Sequence, residues 1–281
     1  MRQTIILVTI ICLLLTSAVP SQATISQKAF ALTIFSLGTT GFSALAYYLW
    51  KNSPAERMRG YPENLTLGEW YWGGYAGAAI LPSQDWTFSK GFNPPLKGLT
   101  AQDVSLQPGV TGGMKFGRFF DFLPWLGVEL ETNFSKHIIK EQNVTLSQPL
   151  PSGAGNVLIP RDRFYIWCLQ TNILARYGFL PTKETPFGRL QPYVGIGPGF
   201  EVLYGVTDSA KNFAVETLTG LRFMAAANIS IFCEYKFSYQ FNAEYERKQI
   251  PPDQVGIVSF DVPNHRLVFG FTYHFKNLFG N

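Results

Sequence analysis

Few residues in the sequence are equipped for catalysis. An acyl-transfer or hydrolytic site needs a nucleophile and a base within hydrogen-bonding reach. The chain has three histidines, His137, His265 and His274. The sequence pattern puts His137 at the start of a loop, His265 at the start of the last predicted strand and His274 on the polar face of that strand, and no His-x-Ser pair falls on a predicted strand. Each histidine is therefore interpreted as structural.

Metal and nucleotide chemistry have equally little support. The cysteines and histidines form no cluster with metal-ligand spacing, and the glycines of 195–199 follow a strand pattern and do not precede a helix, as a dinucleotide-binding loop requires. The net charge is only +4 and the basic residues form no block, so nucleic-acid binding is not indicated. We expect no enzymatic activity, no cofactor and no metal site.

Charged residues recur instead at alternate positions of apolar segments. Buried charges are costly unless they are paired and hydrogen-bonded. Five residues of each sign allow a nearly neutral network, which either fills an interior or lines an ion path or gate. The first interpretation is favoured because a small barrel leaves little room for water. The ten residues are Lys115, Glu129, Glu131, Arg176, Glu201, Glu216, Arg222, Glu234, Lys236 and Arg266.

The segments that carry these charges alternate with period two, which is the strand signature. In the clearest case, 229–242, Ile231, Cys233 and Tyr235 share one face, whereas Glu234 and Lys236 share the other. Each segment has about the ten residues that a tilted membrane strand needs. The pattern predicts eight strands, over 70–80, 106–118, 125–135, 164–178, 190–204, 213–224, 229–242 and a last segment that ends at Phe275.

The connections between these segments alternate in length. The second, fourth and sixth are compact turns, whereas the first, third and seventh are long, near 82–105, 136–163 and 243–263, and the fifth, near 205–212, is shorter. Short turns at one rim and long loops at the other are typical of outer-membrane barrels. The predicted fold class is therefore all-β, an eight-stranded antiparallel transmembrane barrel over 70–281.

Alternation alone does not say which face points inward, and a secreted lipocalin-like carrier of small ligands would have its apolar face inside. Two observations indicate that the apolar face points outward and contacts lipid. Charged residues make up 15% of the chain, against about 25% in soluble domains. Aromatic residues also gather near the strand ends, as interfacial girdles do. The expected girdles are Trp70, Trp72, Trp125, Tyr177, Tyr273 and Phe275 at the short-turn rim, and Tyr165, Tyr204, Phe213, Tyr239 and Phe241 at the long-loop rim.

The N-terminal part predicts export. Arg2, the apolar run from Ile5 to Leu15 and the small residues of Ser21-Gln22-Ala23 indicate a signal peptide over 1–23, with an uncleaved membrane helix as the alternative. Residues 24–69 form a separate segment. Its apolar stretch 29–50 is about long enough to span a bilayer, and we expect a helix that is periplasmic or packed at the barrel mouth.

Three motifs occur in order along the chain: Trp70-Tyr71-Trp72-Gly73-Gly74-Tyr75-Ala76-Gly77, then Pro192-Tyr193-Val194-Gly195-Ile196-Gly197, and last the segment 264–275. They resemble the first, fifth and closing strands of the small outer-membrane barrels of the OmpA and opacity types. The resemblance implies a bacterial outer-membrane location. It also implies that Gly270, Tyr273 and Phe275 form the signal read by the barrel-assembly machinery. Two departures are the six residues that follow Phe275 and the segment 24–69, which is not typical of these barrels.

These observations predict an outer-membrane protein with a structural, surface-interaction or weakly porin-like role and a charge-filled lumen. Its expected partners are outer-membrane lipid and lipopolysaccharide, the assembly machinery and an extracellular ligand of the long loops. The alternatives are the lipocalin-like carrier and an outer-membrane enzyme that modifies lipid. Cys168 and Cys233 fall on opposite faces of different strands, so no disulfide is expected between them.

Overall fold

The computed structural model describes residues 67–91, 96–205, 208–247 and 256–275. The predicted signal peptide and the apolar stretch 29–50 lie outside these residues. Among the described residues, no helix has the length and the apolar character needed to cross a membrane. The described chain forms twelve strands: β1 (Glu69–Ile80), β2 (Gln84–Phe88), β3 (Thr100–Val104), β4 (Leu106–Phe119), β5 (Leu126–Ile139), β6 (Gln142–Thr145), β7 (Asn156–Ile159), β8 (Asp162–Arg176), β9 (Leu190–Tyr204), β10 (Ser209–Met224), β11 (Ile229–Arg247) and β12 (Gly256–Phe275).

Eight of these strands close into a ring. Their order is β1-β4-β5-β8-β9-β10-β11-β12, and β12 pairs back onto β1 from Phe275 opposite Trp70 to His265 opposite Ile80. All neighbours are antiparallel. Closure pairs the backbone groups of every ring strand, which is what a hydrocarbon environment demands. The prediction of eight antiparallel strands is confirmed.

Several ring strands run further than the sequence pattern indicated, and the extra length lies at the long-loop rim. β5 continues to Ile139, β11 to Arg247, and β12 begins at Gly256. In β11 a bulge between Gln240 and Ala243 shifts the register, with Asn242 in the left-handed region at φ 46°. The bulge reverses which parity points inward, so Asn242 does not share the face of Glu234 and Lys236 as strict alternation predicted.

The apolar face of the ring points outward. Large side chains such as Val128, Leu130, Leu169, Phe269 and Phe271 are exposed, whereas the charged positions between them are buried. The lipocalin-like alternative requires the opposite arrangement and is therefore wrong. Of the predicted girdle residues, Trp72, Tyr204, Phe213 and Tyr273 are exposed on the outer surface, whereas Tyr177 and Tyr239 are buried against neighbouring side chains.

Two hairpins that the sequence analysis treated as loops cover the long-loop rim. β2 and β3 pair with each other, and β2 also pairs with β12 through Phe88 opposite Val258. β6 and β7 form the second hairpin, which contacts β3 at the bridge between Ala101 and Leu146.

The hairpins and the strand ends below them share one hydrophobic core, which we call the apolar cap. In the cap the ring of Trp86 stacks on that of Phe260, with centroids 5.1 Å apart. The cap lies across one mouth of the barrel. Its buried members are Leu81, Trp86, Phe88, Leu96, Ala101, Val104, Ile139, Val144, Leu146, Ile159, Phe164, Ile166, Cys168, Leu203, Ala210, Ala243, Tyr245, Val258, Phe260 and Val262.

Candidate functional site

All ten charged residues singled out by the sequence pattern point into the barrel. Each is at most 2% exposed to solvent. They come from seven of the eight ring strands, and β1 adds inward tyrosines. The arrangement follows directly from period-two alternation, because a closed ring turns one face of every strand toward the same interior.

The middle of the lumen is organised around Lys115 on β4. Its ammonium group forms an ion pair with Glu234 on β11, and its Nζ lies 3.4 Å from the carboxylate of Glu129 on β5. The same ammonium group sits 4.1 Å from the ring centroid of Phe232. Lys115 therefore joins three strands through contacts across the interior.

Lys236 on β11 continues this network. It forms an ion pair with Glu131, and its Nζ lies 3.1 Å from Glu234 and 3.9 Å from Glu216. Glu216 is in turn paired with Arg266 on β12. These contacts join four acidic and three basic side chains into one continuous cluster, which we call the lumen network. Its members are Glu129, Lys115, Glu234, Lys236, Glu131, Glu216 and Arg266.

Three tyrosines add hydrogen bonds to the lumen network. The hydroxyl of Tyr71 donates to Glu129 at 2.8 Å, that of Tyr75 donates to Glu131 at 2.5 Å, and that of Tyr193 donates to Glu234. Sequence reasoning missed all three. The faces of β1 are ambiguous because glycine and alanine dominate it, and Tyr193 belongs to a motif that predicts a strand but not its side-chain contacts. The signal that could have found them is parity with the neighbouring glycines, Gly73 and Gly195, which also point inward.

A second pair closes the short-turn end of the lumen. Arg176 forms an ion pair with Glu69 at the start of β1, and its Nε donates to the carbonyl oxygen of Pro124 at 2.9 Å. The guanidinium group lies 3.6 Å from the ring centroid of Phe119. Glu69 was not predicted, because it lies just before the first residue of the predicted strand.

Two predicted members stay apart from the lumen network. Among the described residues, neither Arg222 nor Glu201 forms an ion pair. Arg222 lies between aromatic rings, 4.6 Å from the centroid of Tyr71 and 5.2 Å from that of Tyr193. Glu201 lies closer to the long-loop rim, beside Cys168 on the neighbouring strand. The pattern thus identified which positions point inward but not which of them meet.

Two histidine positions differ from expectation. His137 is not in a loop but on β5, buried and inward, where its Nε2 lies 3.0 Å from Ser135 Oγ and its ring stacks on Phe164. His265 lies well inside β12, not at its start, and faces outward, with its Nδ1 2.7 Å from the hydroxyl of Tyr235. β5 and β12 extend further toward the long-loop rim than the sequence pattern indicated, and this extension explains both errors.

His274 is buried and inward, and its Nε2 lies 3.0 Å from Ser230 Oγ. In the part of the chain that the structure describes, no group of three or more acidic, cysteine or histidine side chains could hold a metal ion. Cys168 and Cys233 are both free.

The chain has the construction of an outer-membrane barrel. A closed ring of eight antiparallel strands carries an apolar outer belt, a polar interior, short turns at one rim and longer connections at the other. A chain built in this way resides in the bacterial outer membrane.

Solved structures with a similar course of the chain are outer-membrane proteins. OprG from Pseudomonas aeruginosa is 15% identical, with a TM-score of 0.48 over 74% of this chain and 96% of that one. AlkL, solved in DMPC lipid bilayers, is 16% identical, with a TM-score of 0.46 over 79% and 99%. Neisserial surface protein A is 12% identical, with a TM-score of 0.41 over 73% and 97%. No family model and no curated protein sequence matches the chain.

Proposed function

We propose that this chain is a closed, non-conducting outer-membrane barrel with a structural and surface-interaction role. The observation that carries the proposal is the lumen network. Its ion pairs tie β4, β5, β10, β11 and β12 together across the interior, and the side chains that form it are buried. Eight strands enclose an interior just wide enough for side chains to fill, so a network of this kind occupies the cross-section.

The apolar cap supports the same conclusion from the cell-surface side. Trp86, Phe88 and Phe260 are at most 6% exposed and lie over the mouth of the barrel. A permeating ion would have to cross this apolar layer before it reached the charges below. Desolvation of an ion in such a layer is expensive, so the cap is a barrier in its own right.

The parts of the barrel that remain accessible are its surfaces. The β2–β3 and β6–β7 hairpins form the face presented to the cell exterior, and loops on a rigid scaffold are where binding residues concentrate. We propose that an extracellular ligand contacts these hairpins.

At the other rim, Gly270, Tyr273 and Phe275 on β12 are proposed to be read by the barrel-assembly machinery. The absence of enzymatic activity stays a prediction.

Planar-bilayer recording of the refolded full chain tests the proposal. The expected result is no resolved unitary current at neutral pH, in a preparation whose strand content and resistance to unfolding show that the barrel is folded. Swelling of liposomes in small sugars, measured in parallel, should match protein-free liposomes. A steady, reproducible conductance would contradict the closed barrel and favour the weakly porin-like role.

A further inference from the structure

A repeated pairing of aromatic and basic residues marks one side of the barrel. On β5, the outward residue after Phe134 is Lys136, and on β10 the outward residue beyond Phe213 is Lys211. On β8 the outward residue above Tyr165 is Arg163. On three strands, therefore, the apolar belt ends in an aromatic ring, and a cationic side chain is the next one toward the long-loop rim.

The strand register gathers these residues into one surface. Lys136 is paired with Tyr165 across β5 and β8, and Tyr165 is paired with Tyr204 across β8 and β9. The rings of Phe134 and Tyr165 are stacked, with centroids 5.3 Å apart. β5 and β10 are three strand spacings apart, so the surface is about 15 Å wide. We call Lys136, Arg163 and Lys211, with Tyr165 and Tyr204 between them, the basic surface.

The charge of the basic surface is not neutralised by the described chain. None of its three cationic side chains forms an ion pair with a residue that the structure describes. At the same rim the outward positions of β11 and β12 are acidic, at Glu244 and Asp261, and the cation there is already paired, since Lys90 Nζ lies 3.0 Å from Glu244. One side of the rim therefore carries positive charge that is unpaired within the described chain and can bind an anion, whereas the side formed by β11 and β12 is acidic.

We propose that the basic surface binds the phosphate groups of a phosphorylated glycolipid in the outer leaflet. Arginine and lysine are the side chains that bind phosphate, and tyrosines at the edge of the belt are suited to the interface between acyl chains and headgroups. The apolar belt below, with Leu130 and Leu169 exposed on β5 and β8, provides the contact for acyl chains. This inference rests on the proposed function, in which the long-loop rim faces the cell exterior, and names the lipid and the place where it binds.

Lipid binding to the folded full chain in nonionic detergent micelles tests the inference. The probes are lipopolysaccharide, the same lipopolysaccharide stripped of its phosphates, and inorganic phosphate. The wild-type chain should bind the phosphorylated lipid at least about tenfold more tightly than the stripped lipid, because each basic residue near an anionic headgroup adds to the attraction. Equal affinity for the two lipids would overturn the inference, and so would equally tight binding of inorganic phosphate.

Variants locate the binding. The triple variant Lys136→Gln/Arg163→Gln/Lys211→Gln should lose at least about tenfold in affinity for lipopolysaccharide. The matched control Lys90→Gln/Lys97→Gln/Lys183→Gln removes the same charge from exposed positions elsewhere and should stay within about twofold of the wild type. An equal loss in both variants would show that net charge, and not the basic surface, governs binding. If the triple variant does not fold, Arg163→Gln alone and the comparison of the two lipids on the wild-type chain decide the question. Neither measurement depends on conductance, so a failure here leaves the closed barrel standing.

Discussion

Lys115 and Glu234 form an ion pair in the middle of the lumen, although 119 residues separate them in the sequence. Their strands, β4 and β11, are not neighbours in the ring, because β1 and β12 lie between them. The pair therefore links parts of the wall that no backbone hydrogen bond joins. Interactions of this kind make the barrel interior contribute to stability as a core does in a soluble protein.

The first prediction concerns Glu234, which contacts both Lys115 and Lys236 and accepts a hydrogen bond from Tyr193. Glu234→Ala leaves buried positive charge with fewer partners, and removing one member of a buried pair typically costs 3–5 kcal/mol. Urea unfolding in lipid vesicles should show a loss of about this size. The control is Glu244→Ala, which breaks the exposed pair with Lys90 and should cost no more than about 1 kcal/mol. Equal losses in the two variants would show that the lumen network is not a buried one.

The second prediction concerns the glycines that make room for the tyrosines. A Cβ atom at Gly117 would lie 2.4 Å from the hydroxyl and ring of Tyr71, which is fully buried. Gly117→Ala should therefore push Tyr71 away from Glu129 and destabilise the barrel by about 1–3 kcal/mol. At Gly74, on the outward face of β1, the nearest atom to a Cβ is the carbonyl oxygen of Gly113 at 3.6 Å. Gly74→Ala is the matched control and should unfold at nearly the wild-type urea concentration.

Alternation of residue types along a strand predicts which side chains face the lumen, but not which of them meet. Period two assigned the inward face of Glu129, Glu131 and Lys236 correctly, because a buried face fixes the register of a strand. It could not identify the partners, since Lys115 and Glu234 meet through the curvature of the ring. Nor could it find the acceptor role of Glu69, which lies at the end of its strand.

The apolar cap was not predicted at all, and the reason is physical. β2, β3, β6 and β7 have only four or five residues each, too few for alternation to distinguish them from loop. Their stability comes from contacts with each other and with the ring strands, such as the packing of Trp86 on Phe260 of β12, and these contacts are remote in sequence. Tertiary packing of this kind overrides local propensity.

The third prediction tests the assignment of the lipid-facing surface. Leu130 lies near the middle of the outward row of β5, between Leu126 and Phe134, and is 49% exposed on the isolated chain. Leu130→Arg should destabilise the barrel in bilayers by about 2–4 kcal/mol, because a charge at that depth loses its hydration. Phe122→Arg places the same side chain in the short turn after β4, where Phe122 is 77% exposed, and should be tolerated. Equal tolerance of arginine at both positions in vesicle unfolding would contradict the orientation of the barrel.

The last prediction separates the two barriers that close the lumen. Replacing residues 84–104 with a short flexible linker removes β2 and β3, and with them Trp86 and Phe88 from the apolar cap. The lumen network lies below the cap and forms no ion pair with the described residues of 84–104, so its side chains should remain in place. The shortened chain should therefore still show no resolved current in planar bilayers, because charged side chains and the rings of Tyr71, Tyr75 and Tyr193 continue to fill the narrow interior. The unmodified chain, recorded in the same membranes, is the control, and strand content confirms that both preparations are folded. A steady current through the shortened chain alone would show that the cap is the only barrier, and that the charges beneath it line a water-filled path.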